Sequence, residues 1–336
     1  MKILLTGANG FLGRAVVESL VAAGERDLRL FLRPASPRPQ REGIEVVEGT
    51  LLRIADIERA LDGVQFVYHL AAAKNGAVSD IFLHTVVGTK NLLEACIRRP
   101  EPPALLLVSS MSVYASASLP RGAKIDEQSP TETNPELRDA YAFSKARQET
   151  LFHEYCERHR LRGVVARPGV IYGPGGVPLP SRVGLTLPGI VLHLGGDNQL
   201  PLTYVENCAD ALARIGQSPH ALGQIYNIVD DDLPSCRQYL GRYHREARSV
   251  RSLALPWPAT LVLSHLNEIY SKRSKGQLPA ILTPYKSRAL WSGNRFDNRK
   301  LKSLGWTPRI STEEGLRRTF ASIKSEALSR GLRSEV

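Results

Sequence analysis

Short apolar runs separated by amphipathic stretches set the pattern of the first 170 positions. Runs at 2–5, 28–32 (LRLFL), 44–47 (IEVV), 64–70 (VQFVYHL), 104–108 (ALLLV) and 163–166 (GVVA) have the length of strands. Between several of them, 11–23, 54–62, 81–98 and 140–160 mix apolar and polar positions as helices do. This alternation predicts an α/β fold, a parallel sheet with helices on both faces. Ligands of such sheets sit at the carboxyl ends of the strands.

From position 173 the texture changes. GPGGVPLPSRVGLTLPG is rich in glycine and proline and reads as loop. LPLTYVENCADALARI at 200–215 reads as a strand entering a helix, and IYNIV at 225–229 as one more strand. The remainder is helical and basic, with Ser311 placed to cap a last helix and Glu314 three residues on. The expected division is a sheet domain over 1–172 with about 201–229, and a smaller lobe over 173–200 and 230–336.

Composition narrows the class. The chain has 336 residues, 43% hydrophobic and 23% charged, as in an ordinary globular protein. Its most apolar late stretch, 253–266, is broken by two prolines and a histidine, so no spanning helix is expected. Ile3-Leu4-Leu5 is too short for the apolar core of a secretion signal. Cysteines 96, 156, 208 and 236 form no CxxC pair, which fits reduced thiols and a cytoplasmic location. The net charge of +11 is uneven: residues 236–336 hold 20 Lys/Arg against 7 Asp/Glu, so that segment carries +13 and the rest −2. No nucleic-acid-binding signature accompanies the charge, and no specific nucleic acid is expected. The basic segment reads as a solvated face, with an anionic substrate or peripheral membrane contact left open.

Candidate chemistry begins at the amino terminus. After the first apolar run, TGANGFLG places glycines at 7, 10 and 13 just before a helical pattern. Glycines there permit a tight turn and close backbone approach to a pyrophosphate at the positive end of the helix starting near Phe11. LRLFL ends in Arg33, with Arg38 nearby and no acidic residue between, where NAD binders usually carry a carboxylate for the ribose 2′-hydroxyl. An arginine suits a 2′-phosphate, so NADP(H) is favoured over NAD(H).

A second constellation lies further on. Tyr141 and Lys145 in YAFSK are one helical turn apart, 31 residues beyond Ser110, which closes the run LLLVSS. A free phenol, pKa about 10, is a poor base at neutral pH, and a neighbouring ammonium lowers that value. Tyr141 can then exchange a proton with a secondary alcohol or ketone while Ser110 positions the same oxygen. HEYCERH gathers His153, Cys156 and His159, but neither a complete ligand set nor HExxH spacing is present, and no metal is assigned.

With these motifs in order, the chain resembles the extended short-chain dehydrogenases/reductases, also called the NAD-dependent epimerase/dehydratase family. LLTGANGFLG, HLAA at 69–72, VGTKNLLEAC at 87–96, VSSMSVY at 108–114, YAFSK, ARPGVIYGPG at 166–175, YVENCADA at 204–211, YNIVDD at 226–231 and LGWTP at 304–308 carry the resemblance. It implies a Rossmann doubly wound domain that binds NAD(P), a smaller carboxyl-terminal substrate lobe, and a catalytic set at Ser110, Tyr141 and Lys145. It also implies cofactor contacts from Gly7, Asn9, Gly10, Phe11, Leu12, Gly13, Arg33, Thr50, Leu51, Leu70, Ala71, Ala72, Pro168 and Val170, besides Tyr141 and Lys145. Homodimer pairing through the helices near 81–98 and 140–160 is a further expectation.

Two positions depart from the family pattern: Thr50 stands for its adenine-side Asp, and Thr85 for the Asn near the catalytic lysine. Val170 replaces the Asn, and Leu200 the Arg, that nucleotide-sugar enzymes place at the sugar diphosphate. The tail from 278 onward is similar to the branch of 3β-hydroxysteroid dehydrogenase-like and dihydroflavonol-reductase-like enzymes. A small apolar alcohol or ketone is therefore the expected substrate. A nucleotide-sugar epimerase or dehydratase with internally recycled NAD is the alternative, and a non-catalytic dinucleotide sensor a second one.

Overall fold

The computed structural model describes residues 1–38, 43–274, 277 and 280–333. Its first half follows the expected alternation: β1 (Ile3–Thr6), α1 (Phe11–Ala22), β2 (Leu28–Leu32), β3 (Glu45–Glu48), α2 (Ile54–Ala60), β4 (Phe66–His69), α3 (Val78–Phe82), α4 (Gly88–Ile97) and β5 (Ala104–Val108). There follow β6 (Lys124–Ile125), α5 (Ala140–His159), β7 (Gly163–Pro168), β8 (Val170–Tyr172), β9 (Gly184–Leu187), β10 (Ile190–His193), β11 (Leu202–Tyr204), α6 (Val205–Gln217) and β12 (Ile225–Ile228). The last hundred residues hold α7 (Cys236–Arg242), β13 (Ser252–Ala254), α8 (Trp257–Arg273), α9 (Pro284–Trp291), β14 (Arg295–Phe296), α10 (Arg299–Lys302) and α11 (Thr312–Arg333).

Seven strands form one sheet in the order β12-β7-β5-β4-β1-β2-β3, every neighbour parallel. The strands read as continuous apolar runs because both faces are covered. Ile3 and Leu5 join one core with Val16, Val17 and Leu20 of α1 and Leu212 of α6. Leu4, with Leu105 and Leu107, joins the other with Ile57 of α2, Leu92 of α4 and Phe152 of α5. Each fully buried leucine in these layers contributes roughly 1.5–3 kcal/mol.

Several elements depart from the sequence pattern: the tail read as helical also holds β13, paired with β10, and β14, paired with β6. The stretch 81–98 is not one helix: Leu83–Val87 is a π-helical turn between α3 and α4, a widening that often marks a functional site. The glycine- and proline-rich segment is not wholly loop, since β9 and β10 pair antiparallel across Pro188-Gly189. Gly189 has a φ of 78°, so the proline-then-glycine dipeptide is itself the turn. The cap at Ser311 is half formed: its hydroxyl accepts from the Glu314 amide at 3.3 Å, while the Glu314 carboxylate turns to Arg317 and Arg318.

Asp230 ties the late segments to the sheet. Its carboxylate accepts from the Tyr204 amide at 2.9 Å and from Asn207 Nδ2 at 3.0 Å, and Asn207 also holds both backbone groups of Ile310. Burial raises the Asp230 carboxyl to about 6, against the hydrogen bonds from Asn207, Tyr204 and Tyr172.

Candidate functional site

The residues expected to meet the cofactor and the substrate gather at one end of the sheet, beyond the carboxyl ends of the parallel strands. Gly7 follows β1, Arg33 follows β2, Thr50 and Leu51 follow β3, Leu70 to Ala72 follow β4, Ser110 follows β5, and Pro168 closes β7. Parallel register produces this: residues at the end of each strand are lateral neighbours, as Thr6 is of His69.

The glycine turn is a cradle that side chains would fill. Gly7 has a φ of 75°, and a Cβ on it would come within 2.8 Å of the Ala71 amide nitrogen. At Gly13 a Cβ would meet the Gly7 carbonyl oxygen at 2.2 Å, so α1 leaves the turn with no room for a methyl group. The Gly10 amide bonds the Gly7 carbonyl at 3.0 Å, closing the turn, and the α1 amides beyond it open toward whatever lies there. The Phe11 ring fixes the far wall, lying 3.0 Å from where a Gly176 Cβ would be. Leu12 packs down into the core, and Asn9 Nδ2 donates to the Pro37 carbonyl at 2.6 Å. These features fit a dinucleotide pyrophosphate. Overpacking typically costs about 1–3 kcal/mol, so Gly13→Ala is expected to weaken NADH or NADPH binding by roughly ten- to a hundredfold in a fluorescence titration. An unchanged titration would remove this turn from the site.

On the ribose side the picture is mixed. Arg33 is exposed, whereas Arg38 is held by Glu48 at 2.8 Å, so a bound 2′-phosphate would compete with a carboxylate there. The Thr50 hydroxyl accepts from the Leu52 amide at 3.2 Å, and its own amide donates to Asp56 at 3.1 Å. Thr50 is thus engaged in its own turn. The Leu51 carbonyl accepts from Asn91 Nδ2 at 2.8 Å, which fixes that loop to α4.

Ser110 and Tyr141 meet. Ser110 begins the 3₁₀ turn Met111–Val113 and accepts from the Ser112 amide at 3.1 Å. Tyr141 lies in the first turn of α5, capped by Asp139, whose side chain accepts from the Ala142 amide at 3.0 Å. Burial pushes the half-buried Tyr141 phenol up, while its hydrogen bond with the Ser110 hydroxyl pulls the other way. Lys145, one turn along, is buried, and burial draws its ammonium down to about 7 against the opposing pull of Glu149.

Behind Lys145 runs a buried polar chain that the sequence did not disclose. Lys145 Nζ donates to the Val108 carbonyl at 2.8 Å and to Gln148 Oε1 at 2.9 Å. Gln148 Nε2 donates to Thr89 Oγ1 at 2.7 Å, and Thr89 donates to the Thr85 carbonyl at 2.6 Å. His69 Nε2 lies 2.8 Å from Thr89 Oγ1, and its Nδ1 2.7 Å from Thr6 Oγ1. Thr89 has given its only proton away, so His69 must donate from Nε2 and accept at Nδ1 from Thr6. Burial, with the Lys145 charge adding to it, pulls His69 down to about 3, so the ring stays neutral. Thr6 in turn accepts from the Ala71 amide at 3.3 Å, and Thr85 Oγ1 from the Ala73 amide at 3.0 Å. One satisfied network therefore joins Lys145 to the loop beside the glycine turn. Its one signal in the sequence is Gln148 three residues after Lys145 on the same helix.

The remaining predicted residues divide. Val170 is part of β8, paired with Leu202, and packs at the edge of a third core. Leu200 is wholly buried in that same core. His153 is drawn to Glu149 at 3.7 Å, and His159 stacks against Tyr155.

A protein-family model described as the NAD dependent epimerase/dehydratase family matches residues 3–229. Among curated proteins, the chain is 29% identical to a 3beta-hydroxysteroid-dehydrogenase/decarboxylase isoform 1 of Arabidopsis thaliana, over 95% of this chain and 79% of that one. It is also 29% identical to a 2-alkyl-3-oxoalkanoate reductase of Stenotrophomonas maltophilia, over 96% of this chain and 99% of the other. Among solved structures, the UDP-glucose 4-epimerase of Thermus thermophilus in complex with NAD superposes with a TM-score of 0.70 at 24% identity, covering 96% of this chain and 99% of that one.

Proposed function

The chain belongs to the NAD-dependent epimerase/dehydratase family, and on that footing we propose that it is an NAD(P)-dependent oxidoreductase interconverting a secondary alcohol and a ketone on an apolar substrate. The observation that carries this reading is the convergence of Ser110 and Tyr141 at the carboxyl end of the sheet, with Lys145 one turn along the same helix.

When bound, the dinucleotide supplies a nicotinamide that accepts or returns a hydride. The α1 amides and the glycine turn hold its pyrophosphate, and Arg33 offers a guanidinium to a 2′-phosphate, which favours NADP(H). Ser110 donates to the substrate oxygen and fixes its place. Tyr141 gives its proton to that oxygen in ketone reduction, or takes one from it in alcohol oxidation. Lys145, oriented by Val108 and Gln148, provides positive charge behind the tyrosine and lowers the cost of the phenolate. Neither Val170 nor Leu200 supplies a side-chain donor for a sugar diphosphate, which supports an apolar substrate. So do the names of the reductase and the steroid dehydrogenase, each matched across nearly all of this chain.

Native mass spectrometry of freshly purified protein, before and after exchange against excess NADPH and NADH, tests the reading. An empty or readily exchanging site that prefers NADPH is the expected result. Tightly retained, non-exchanging NAD would instead indicate an epimerase or dehydratase that recycles its hydride, and would remove Arg33 from the cofactor site.

A further inference from the structure

Helix α8 presents a stripe of large apolar residues to solvent. Thr260, Ser264 and Ser271, small and polar, are its buried positions. Ser264 Oγ donates to the Thr260 carbonyl at 2.7 Å and lies 2.7 Å from Ser287 Oγ of α9, while Asn267 Oδ1 accepts from the Leu282 amide at 3.0 Å. The helix is thus fastened to its neighbours through hydrogen-bonded polar groups. Trp257 and Leu263 pack inward against Leu194, Leu282 and Trp291, but four other large apolar residues point outward: Val262 is 60% exposed, Leu266 58%, Ile269 48% and Tyr270 61%. At 3.6 residues per turn, Val262, Leu266 and Ile269 share an arc of roughly 60°, with Tyr270 at its rim. Arg273 falls within the same arc at the carboxyl end, beside Lys272, which pairs with Glu268 at 3.0 Å. Arg248 and Arg251, also exposed, precede the helix.

We infer that α8 docks on an anionic lipid surface, its apolar stripe entering the boundary between headgroups and acyl chains while Lys272 and Arg273 meet lipid phosphates. Charge selects this occupant over a second copy of the chain. The segment 236–336 that carries α8 holds 20 Lys/Arg against 7 Asp/Glu, so two such lobes repel one another as wholes. An anionic bilayer attracts the same charges and accepts the stripe. Tyr270, with an apolar ring and a polar tip, suits the level at which such a helix lies. The inference does not depend on the reaction assigned above.

The test is flotation of the full chain with vesicles of phosphatidylcholine alone or mixed with phosphatidylglycerol. Binding to the anionic vesicles is expected to exceed binding to neutral ones by at least about tenfold and to weaken as salt rises. The double substitution Leu266→Glu, Ile269→Glu is expected to reduce it by at least about tenfold, with circular dichroism and unfolding temperature unchanged, because both side chains are exposed. Absence of binding, or equal binding by the double variant, would overturn the inference. Light scattering that found a concentration-dependent dimer dissolved by the same double substitution would also overturn it, in favour of a second copy.

Discussion

Replacing Tyr141 with Phe is expected to lower kcat for ketone reduction by at least about a hundredfold while changing dinucleotide affinity little. The substitution keeps the ring and removes only the hydroxyl that meets Ser110, so the half-buried position is still filled. Steady-state kinetics with an apolar ketone and a cofactor titration separate the two effects. A variant that kept its kcat would remove Tyr141 from the chemistry. The pH profile adds a signature. Lys145 sits at about 7 and must be protonated to favour the phenolate left when Tyr141 gives up its proton, so the reduction rate should fall as pH rises through about 7. Gln148 Oε1 accepts from that ammonium and stabilises its charged form. Gln148→Leu should therefore move the falling limb to lower pH, whereas a purely structural role for Gln148 would leave the limb in place.

The second large effect concerns stability. Glu149 of α5 and Arg167 of β7 form a buried pair, with Arg167 Nε at 3.1 Å and 3.2 Å from the two carboxylate oxygens and a third bond from Nη2. The guanidinium also lies over the Tyr114 ring, 4.6 Å from its centre, and the Tyr114 hydroxyl donates to Asn227 Oδ1 at 2.6 Å. Glu149→Leu leaves the arginine buried and uncompensated, which is expected to cost about 3–5 kcal/mol in urea unfolding. The double variant Glu149→Leu, Arg167→Leu should lose less than the single one, because no lone charge remains. Equal losses would mean that packing, not charge, sets the cost. Burial would raise the Glu149 carboxyl, but hydrogen bonds from His153 and Arg167 outweigh it and hold the group at about 2, below the ordinary 4.5. The unfolded chain therefore takes up a proton first. This contribution is fully present above pH 4.5 and is lost as pH falls from there toward 2. Tyr114 closes the turn that Ser110 opens, so the same loss should loosen the serine side of the site.

What could be seen in the sequence follows from range. The strands and the glycine turn were legible because local composition dictates them: apolar runs make buried strands, and Gly7 and Gly13 stand where no Cβ fits. Ser110, Tyr141 and Lys145 were legible as residue types at meaningful spacings. The support behind Lys145 was not, because Gln148, Thr89, His69 and Thr6 come from four elements and meet only after the sheet has aligned. Leu200 reads as a missing ligand in sequence, yet the fold uses it as core. The hairpin of β9 and β10 was hidden by the very residues that make its turn. In α8 the residue types announced a helix, while the choice of Ser264 rather than Leu266 for the inner face depended on its hydrogen bond to Ser287 across in α9.

The strand order has a consequence for the way the molecule comes into being. From β1, inside the sheet, β2 and β3 add on one side, and β4, β5, β7 and β12 add in turn on the other. Each newly synthesised strand thus meets a growing edge, and none has to be threaded between two already paired. During elongation the amino-terminal half can assemble progressively as it leaves the ribosome. The last edge, β12, pairs with β7 and is met by α10, where Lys300 lies over the Tyr226 ring at 5.2 Å. The glycine turn, next to the first strand made, can accordingly take shape before the carboxyl-terminal segments have been translated.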